Sequence, residues 1–421
     1  MRNRRERHSF RAYRWVNRLV KLTLGTYLRL RFKLRAEHLG LARRLEPPFL
    51  IVSNHVGYWD PFLLGLYIRP PVHFVAADAN FRNGFMRVLL SALGAIPKTK
   101  GVADMETVRH ILHIRDAGGV IGVFPEGQRS WDGRTLPLLD STAKLVRLAR
   151  VPVLTALFKG GYLSHPRWAR SPRRGRLTVQ FQLGLTAAEA SSLSSEEIHR
   201  RLTQLLDYDE HAYQQSAMIP FRGRHLAEHL EHVLFLCPHC DGIATLRSED
   251  DRYSCEACGY TVRYDEHGTF SLMHPDGERL HFANVRDWHQ WARTTFAEYL
   301  QLAAAAASES AILHDDRIVL RRGFRTSRMH TVGRGELRLY PDRMVFADEN
   351  AAGHVFPLNR VQGLNVQLKQ KLELYLEEDL YTLDPEDPRT SMYKWEFAVN
   401  TLLGRGPGRD PGKSPGLSSA E

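Results

Sequence analysis

Five short apolar runs lie between Pro47 and Leu185, and longer segments with helical periodicity separate several of them. The runs are PFLIVSN, VHFVAAD, GGVIGVFPEG, VPVLTALF and LTVQFQLG. Continuous runs rich in Val, Ile, Leu and Phe are typical of strands buried on both faces. The intervening FMRVLLSALG and METVRHILHIRDAG have apolar residues three or four apart, which favours helices packed on a sheet. This alternation predicts an α/β domain with a largely buried sheet.

The cysteines of the chain form two closely spaced pairs. All four fall in CPHC and CEAC, which are separated by 14 residues: Cys237, Cys240, Cys255 and Cys258. A gap of two residues lets both thiolates of a pair reach one tetrahedral ion. Four sulfur ligands complete the coordination, so the pattern predicts a zinc ribbon with a closed, structural Zn²⁺ site. Two disulfides and a redox dithiol are the alternatives, and the poor match of the N-terminus to a signal peptide argues against the disulfides.

The chain is basic, and its excess charge lies at the N-terminus. It has 58 Lys and Arg against 47 Asp and Glu, a net charge of +11, and residues 1–45 hold 14 basic residues against two Glu. Such a balance favours a polyanionic partner, which can be nucleic acid, an anionic membrane or a phosphorylated substrate.

The basic N-terminal segment also carries regularly spaced apolar residues. They are Trp15, Leu19, Leu22, Tyr27, Leu30 and Leu34. A basic amphipathic helix of this kind is expected to lie on a membrane surface. The longest uncharged run, LTLGTYL, is far shorter than the roughly 20 residues needed to span a bilayer. We therefore expect a peripheral protein on the cytoplasmic face of a membrane, with lipids as partners. A solvated helix packed on its own domain is the alternative.

A histidine and an aspartate follow the first apolar run, in SNHVGYWDPF. An imidazole has a pKa near neutrality, so His55 is a candidate base that removes a proton from a hydroxyl group. Asp60, at the start of a helix, can bond the second ring nitrogen and select the tautomer. No GxSxG motif is present, so direct attack by an acceptor hydroxyl is predicted. A capped helix start without catalysis is the alternative.

A second polar motif, FPEGQRS, follows the third apolar run. Gly127 permits close approach of the backbone to a ligand, and the Arg129 guanidinium can bind phosphate through two hydrogen bonds. A structural ion pair between Glu126 and Arg129 is the alternative. Lys98 and Lys100, in GAIPKTKG, add positive charge between the two motifs.

Taken together, NHxxxxD and FPEGxRS over residues 45–190 resemble the glycerolipid acyltransferase family, which includes the PlsC-type 1-acylglycerol-3-phosphate acyltransferases. The resemblance implies transfer of an acyl group from acyl-CoA or acyl-acyl-carrier protein (acyl-ACP) to a glycerol-phosphate or lysophosphatidic acid acceptor in phospholipid biosynthesis. It implies that His55 is the base and Asp60 its orienter. The residues implied in substrate binding are Lys100, Glu126, Gly127 and Arg129. Lys100 stands where the family usually has Arg, and Gln128 where Thr is common.

The remainder of the chain suggests additional domains. Residues 311–402 contain β-like runs followed by the helical pattern SMYKWEFAVNTLL, an order that resembles PH or GRAM domains. The predicted segments are 1–46 membrane-contacting, 47–190 acyltransferase, 191–232 helical connector, 233–272 zinc ribbon, 273–310 helical, 311–402 β-rich and 403–421 disordered tail.

Two other functions remain open on the sequence. One is acylation of another lysolipid or of a non-phosphorylated lipid. The other is a non-catalytic adaptor that binds nucleic acid or a membrane through the ribbon and the basic N-terminus. The ribbon stretch DGIATLRSEDDRYSCEACGY carries more acidic than basic residues, which argues against nucleic acid.

Overall fold

The computed structural model describes residues 13–99, 105–273, 279–306, 309–324, 327–348 and 353–405. The described residues form two compact units that alternate along the chain. The first unit lies within Met1–Gln128, Pro137–Lys159 and Leu177–Asp207. The second unit lies within Arg129–Leu136, Gly160–Arg176 and Tyr208–Glu421.

The strands are numbered in chain order. They are β1 (Lys33–Glu37), β2 (Phe49–Ser53), β3 (Val72–Ala77), β4 (Ile96–Lys98), β5 (Val120–Val123), β6 (Val153–Lys159), β7 (Arg176–Leu185), β8 (Leu246–Glu249), β9 (Arg252–Cys255), β10 (Thr261–Tyr264), β11 (Phe270–Leu272), β12 (Leu313–Gly323), β13 (His330–Leu339), β14 (Arg343–Asp348), β15 (His354–Pro357), β16 (Val361–Gln367), β17 (Lys371–Leu376) and β18 (Asp379–Pro385).

The helices are numbered in the same way. They are α1 (Arg14–Arg31), α2 (Leu39–Arg44), α3 (Asp60–Tyr67), α4 (Gly84–Ala92), α5 (Met105–Asp116), α6 (Asp140–Ala149), α7 (Gly161–Ser164), α8 (Ala187–Ser192), α9 (Ser195–Leu206), α10 (Glu210–Ala217), α11 (Val285–Ala305) and α12 (Met392–Leu402). Among the described residues, no helix is both long enough and apolar enough to cross a bilayer.

The first unit is built around a mixed sheet. Its strand order is β1-β7-β6-β2-β5-β3-β4, with seven strands in the described part of the chain. Strand β2 runs parallel to both β5 and β6, and β7 is antiparallel to β6. Every residue of β2 is buried, as its continuous apolar sequence predicts. The predicted α/β fold is confirmed.

The second unit contains two antiparallel sheets. The smaller has the order β11-β10-β9-β8, and the larger has the order β15-β14-β13-β12-β18-β17-β16. Trp395 of α12 and Trp288 of α11 are fully buried. Cys237 and Cys255 belong to the same apolar core as these tryptophans. The predicted β-rich C-terminal domain with a final helix is confirmed.

Two features of the prediction differ from the structure. Strands β1 and β4 were not predicted, because KLRAE has exposed charged residues and IPK is only three residues long. The segment predicted as a helical connector is α-helical only as far as Ala217, and a short 3-10 helix, Leu230–His232, lies at its end. Pro220 and Gly223 follow, and both residues disfavour continuation of a helix.

Candidate active site

His55 and Glu126 follow neighbouring parallel strands in the first unit. The last residues of β2 and β5 pair in register, with Val52 beside Val123. Since parallel strands end at the same edge of a sheet, both polar residues emerge at the carboxyl edge. The backbone N–H of His55 donates to Glu126 Oε1 at 2.6 Å. Two motifs separated by 71 positions are therefore joined by one hydrogen bond.

Asp60 accepts three hydrogen bonds on one carboxylate oxygen. Its Oδ2 lies 2.8 Å from Nδ1 of His55 and 2.8 Å from the backbone nitrogens of Val56 and Gly57. Asp60 is 1% exposed, whereas the His55 side chain is 21% exposed. When Nδ1 carries the proton, the lone pair of the imidazole is on Nε2. The pair thus has the geometry of a base and its orienting carboxylate.

Two further side chains position the histidine. The Phe124 ring stacks on the His55 ring with centroids 4.2 Å apart. Asn54 is fully buried and exchanges two hydrogen bonds with the backbone of Phe158 in β6, one to the carbonyl and one from the N–H. These contacts limit the orientations available to the ring and fix the end of β2. Asn54 and Phe124 belong to the motifs NHxxxxD and FPEGxRS, but no role was predicted for either residue. A buried Asn directly after an apolar run is a usable signal.

Glu126 and Gly127 form the turn after β5. Glu126 is 5% exposed, and Gly127 has φ +70°, a conformation that favours glycine. A Cβ atom at Gly127 would lie 3.1 Å from Leu139 Cδ1. The glycine therefore permits both the turn and the close packing behind it.

The other basic residues considered for substrate binding are Arg129, Lys98 and Lys100. Arg129 belongs to the second unit, where its Nη2 donates to the Leu368 carbonyl at 3.2 Å. Lys98 ends β4 in the first unit. Lys100 lies outside the described residues.

The four cysteine sulfur atoms converge in the second unit and lie within 4.8 Å of one another. Cys237 and Cys258 are 3.8 Å apart at Sγ, as are Cys240 and Cys255. A tetrahedron with Zn–S bonds of about 2.3 Å has S···S edges of about 3.8 Å. The predicted ligand set is therefore assembled with spacing that fits zinc.

The Acyltransferase family profile matches residues 34–159, a span that contains His55, Asp60, Glu126, Gly127 and Arg129. Residues 34–159 are an acyltransferase domain. The resemblance to glycerolipid acyltransferases inferred from the two motifs is confirmed.

Individual acyltransferases are similar to this chain. The 1-acyl-sn-glycerol-3-phosphate acyltransferase of Bacillus subtilis (strain 168) is 22% identical over 160 residues, which are 38% of this chain and 77% of that protein. The crystal structure of the 1-acyl-sn-glycerophosphate (LPA) acyltransferase PlsC from Thermotoga maritima aligns with a TM-score of 0.40 at 19% identity. This alignment covers 49% of this chain and 80% of that structure.

Proposed function

We propose that this acyltransferase transfers a fatty acyl group from acyl-CoA or acyl-ACP to a hydroxyl group of a glycerol-phosphate or lysophosphatidic acid acceptor in phospholipid biosynthesis. The 2.8 Å contact between His55 Nδ1 and Asp60 Oδ2, within the acyltransferase domain, is the observation that carries the proposal. The name of the Bacillus subtilis relative supports this class of acceptor.

In the proposed reaction, His55 first accepts a proton from the acceptor hydroxyl and then donates it to the leaving thiolate. Its Nε2 takes the proton of the acceptor hydroxyl as the oxygen attacks the thioester carbonyl carbon. The new C–O bond forms, the C–S bond breaks, and the departing thiolate takes the proton back from Nε2. Asp60 holds the ring and stabilises the imidazolium between the two steps. The chain's own residues therefore supply acid–base catalysis without a covalent acyl-enzyme.

We assign the acceptor phosphate to Arg129 and Lys100. This assignment rests on the family resemblance and on the chemistry of cations with phosphate. Glu126 holds the backbone of His55, and Gly127 provides the turn that leads into Arg129. The phosphate-binding motif and the catalytic motif are thus connected through Glu126.

The cysteine cluster is proposed to hold a structural zinc ion. Cys237, Cys240, Cys255 and Cys258 would supply four thiolates, which leaves no open coordination position for chemistry. The hydroxyl group of Thr245 lies 3.2 Å from Cys255 Sγ. Burial raises the pKa of Cys255, but this hydrogen bond and those from backbone N–H groups outweigh it and lower the pKa to about 7. A thiolate at this position is the form that binds metal.

Helix α1 is proposed to contact the cytoplasmic surface of a membrane. Trp15, Leu19, Leu22 and Leu30 are 67%, 52%, 70% and 72% exposed. They recur at the spacing of one helical face, and Arg29 and Arg31 lie in its last turn. An apolar stripe beside basic residues fits the interface of an anionic bilayer.

The test of the proposed function is an acyl-transfer assay of the full chain with acyl-CoA and acyl-ACP donors. The acceptors are glycerol 3-phosphate, lysophosphatidic acid, other lysophospholipids and a monoacylglycerol. We expect activity with phosphomonoester acceptors and a loss of at least about 100-fold in kcat for His55→Ala. His113→Ala, which removes an exposed histidine of α5, is the matched control. Wild-type activity in His55→Ala refutes the base assignment.

The acceptor panel also separates the alternatives. Activity confined to the monoacylglycerol, or to other lysophospholipids, would replace the proposed acceptor and leave the chemistry intact. A wild-type protein that acylates none of the acceptors and instead shifts DNA or RNA in a gel would favour the adaptor function.

A further inference from the structure

Two guanidinium groups of the second unit meet at one backbone carbonyl. The Leu368 oxygen accepts from Arg129 Nη2 at 3.2 Å and from Arg167 Nε at 3.3 Å. Leu368 lies in the turn between β16 and β17, with φ +53° and 59% exposure. The next residue in this turn is Lys369. Residues 129, 167 and 369 thus place three positive charges around a single turn.

Buried Arg167 links Arg129 to this turn through hydrogen bonds to both segments. It is only 3% exposed, its Nη1 donates to the Arg129 carbonyl at 3.1 Å, and its Nη2 donates to the Val366 carbonyl. Its guanidinium carbon also lies 3.9 Å from the centre of the Trp131 ring. Because its donors point at backbone oxygens on both segments, Arg167 fixes the position of Arg129 relative to the turn.

Lys369 supplies the third positive charge at this turn. Its Nζ donates to the Ala169 carbonyl, and it is half-buried. Within the described ranges, Lys369 Nζ forms no ion pair with a carboxylate, and its partner is this carbonyl. Burial lowers the pKa of Lys369 to about 8, and the charge of Arg129 acts in the same direction. Burial likewise lowers the pKa of Arg167 to about 9; the charge of Arg129 adds to this shift, and the charges of Glu396 and Tyr393 oppose it.

The positive charges of Arg129 and Lys369 repel one another, and a bound anion would relieve this repulsion. A phosphomonoester carries about −1.5 to −2 charge near pH 7 and three acceptor oxygens, so it matches a lysine beside an arginine. We propose that Lys369 binds the same phosphate group as Arg129, and that Arg167 is the positioning residue for both. This inference rests on the proposed role of Arg129 in phosphate binding.

A direct binding experiment tests the site without requiring catalysis. Inorganic phosphate is titrated into the full chain by isothermal calorimetry at constant ionic strength, for wild type, Lys369→Ala, Lys369→Arg and Lys144→Ala. Lys144 is an exposed lysine of α6 and serves as the control. We expect Lys369→Ala to raise the Kd about 10- to 100-fold, Lys369→Arg to stay within about threefold, and Lys144→Ala to match wild type. An unchanged Kd in Lys369→Ala overturns the proposal.

Kinetics then identify the source of the phosphate. If it belongs to the acceptor, Lys369→Ala raises the acceptor KM at nearly constant kcat and leaves the acyl-CoA KM unchanged. If it belongs to CoA, the acyl-CoA KM rises instead, which retains the site and reassigns its ligand. Two unchanged KM values overturn the proposal. Lys369→Gln, which preserves side-chain length, replaces Lys369→Ala if circular dichroism shows loss of folding.

The positioning role of Arg167 has its own readout. Arg167→Lys keeps a cation but loses the fork of donors that reaches two segments. We expect the Kd for phosphate to rise while circular dichroism shows that the fold is retained, and equal Kd values refute this role. Failure of the proposed function appears separately, as a wild-type protein that binds phosphate but acylates no acceptor.

Discussion

Asp60 stabilises a turn of the backbone and also contacts the His55 ring. One oxygen of this buried carboxylate accepts from the His55 ring and from the backbone N–H groups of Val56 and Gly57. The same atom therefore closes the turn before α3 and orients the imidazole. The N-cap position of α3 is Trp59, and no side-chain hydrogen bond caps this helix. The structure therefore does not show the alternative of a helix start capped by Asp60.

Asp60→Asn should separate the effect of Asp60 on the orientation of the His55 ring from its effect on folding. The amide can keep part of the turn but no longer stabilises an imidazolium, so we expect kcat to fall by on the order of 10²- to 10⁴-fold with a small change in melting temperature. Asp140→Asn is a matched control, because Asp140 also begins a helix and lies 3.6 Å from a histidine, His199. Equal kcat values for wild type and Asp60→Asn, measured in the acyl-transfer assay, contradict the orienting role.

The pH dependence of acceptor binding should follow the protonation state of Lys369. Burial, followed by the charge of Arg129, lowers the pKa of Lys369 to about 8. Its positive charge is thus present below pH 8 and is lost as the pH rises through 8, so the acceptor KM should increase between pH 7 and pH 9. Steady-state kinetics across this range provide the measurement.

Two histidines that interact with Lys369 do not titrate in the same range. Burial lowers the pKa of His229, and it lowers that of His232 to about 3, with the charge of Lys369 adding to both shifts. Both imidazoles are therefore neutral above pH 7. In Lys369→Arg the cation at this position persists, so the increase in acceptor KM centred near pH 8 should be absent. A profile that is identical in wild type and Lys369→Arg assigns the titration to another group.

Helix α1 exposes an apolar stripe that the described residues of its own unit do not cover. Val16, Gly25 and Leu28 face inward, while the residues of the stripe face solvent. A Cβ atom on Gly25 would lie 2.6 Å from Leu66 Cδ2 of α3, so the helix packs closely on one side. One face of α1 therefore packs on its own unit, as the alternative interpretation expected. The other face is exposed and is available to lipid.

Replacing Leu19 and Leu22 by Glu should weaken membrane binding. Fully burying a leucine contributes about 1.5–3 kcal/mol, and a carboxylate is also repelled by anionic lipid. We expect the fraction that co-sediments with phosphatidylglycerol-containing vesicles to fall at least tenfold for the double variant. Leu302→Glu is the control, since Leu302 of α11 is 73% exposed. Undiminished sedimentation of the double variant would exclude α1 as the membrane contact.

The cysteine cluster is part of the core of the second unit. Cys237 and Cys255 share one apolar cluster with Tyr253 of β9, Trp288 of α11 and Trp395 of α12. Trp288 Nε1 also donates to the Leu236 carbonyl at 3.0 Å, next to the first ligand. A metal at this position would therefore stabilise the β-rich region as well as the ribbon.

Removal of zinc should destabilise this whole core. We expect elemental analysis to find one zinc per chain, and chelation to lower hydrogen-exchange protection in both β8–β11 and β12–β18. Protection in β2 and β5 of the first unit is the internal reference, and added zinc should restore the lost protection. A protein without zinc, or one with unchanged exchange after chelation, contradicts the assignment.

Local sequence patterns were sufficient to predict the type of reaction and most strands of the first unit. The apolar runs predicted β2, β3, β5, β6 and β7, because a buried strand needs a continuous apolar sequence. The NHxxxxD spacing predicted a pair that the structure places in contact, since a single turn joins the two residues. The two CxxC pairs predicted a cluster for the same reason, because each pair is formed within one short loop.

Contacts between distant parts of the chain depended on the tertiary structure. Arg129 and Leu368 are 239 positions apart, and nothing in either local sequence indicates that they meet. Buried Arg167 and half-buried Lys369 likewise have no periodic or motif signal, because their positions depend on the packing of loops. The sequence therefore predicted the type of reaction, while the folded chain determined which cations surround the candidate phosphate site.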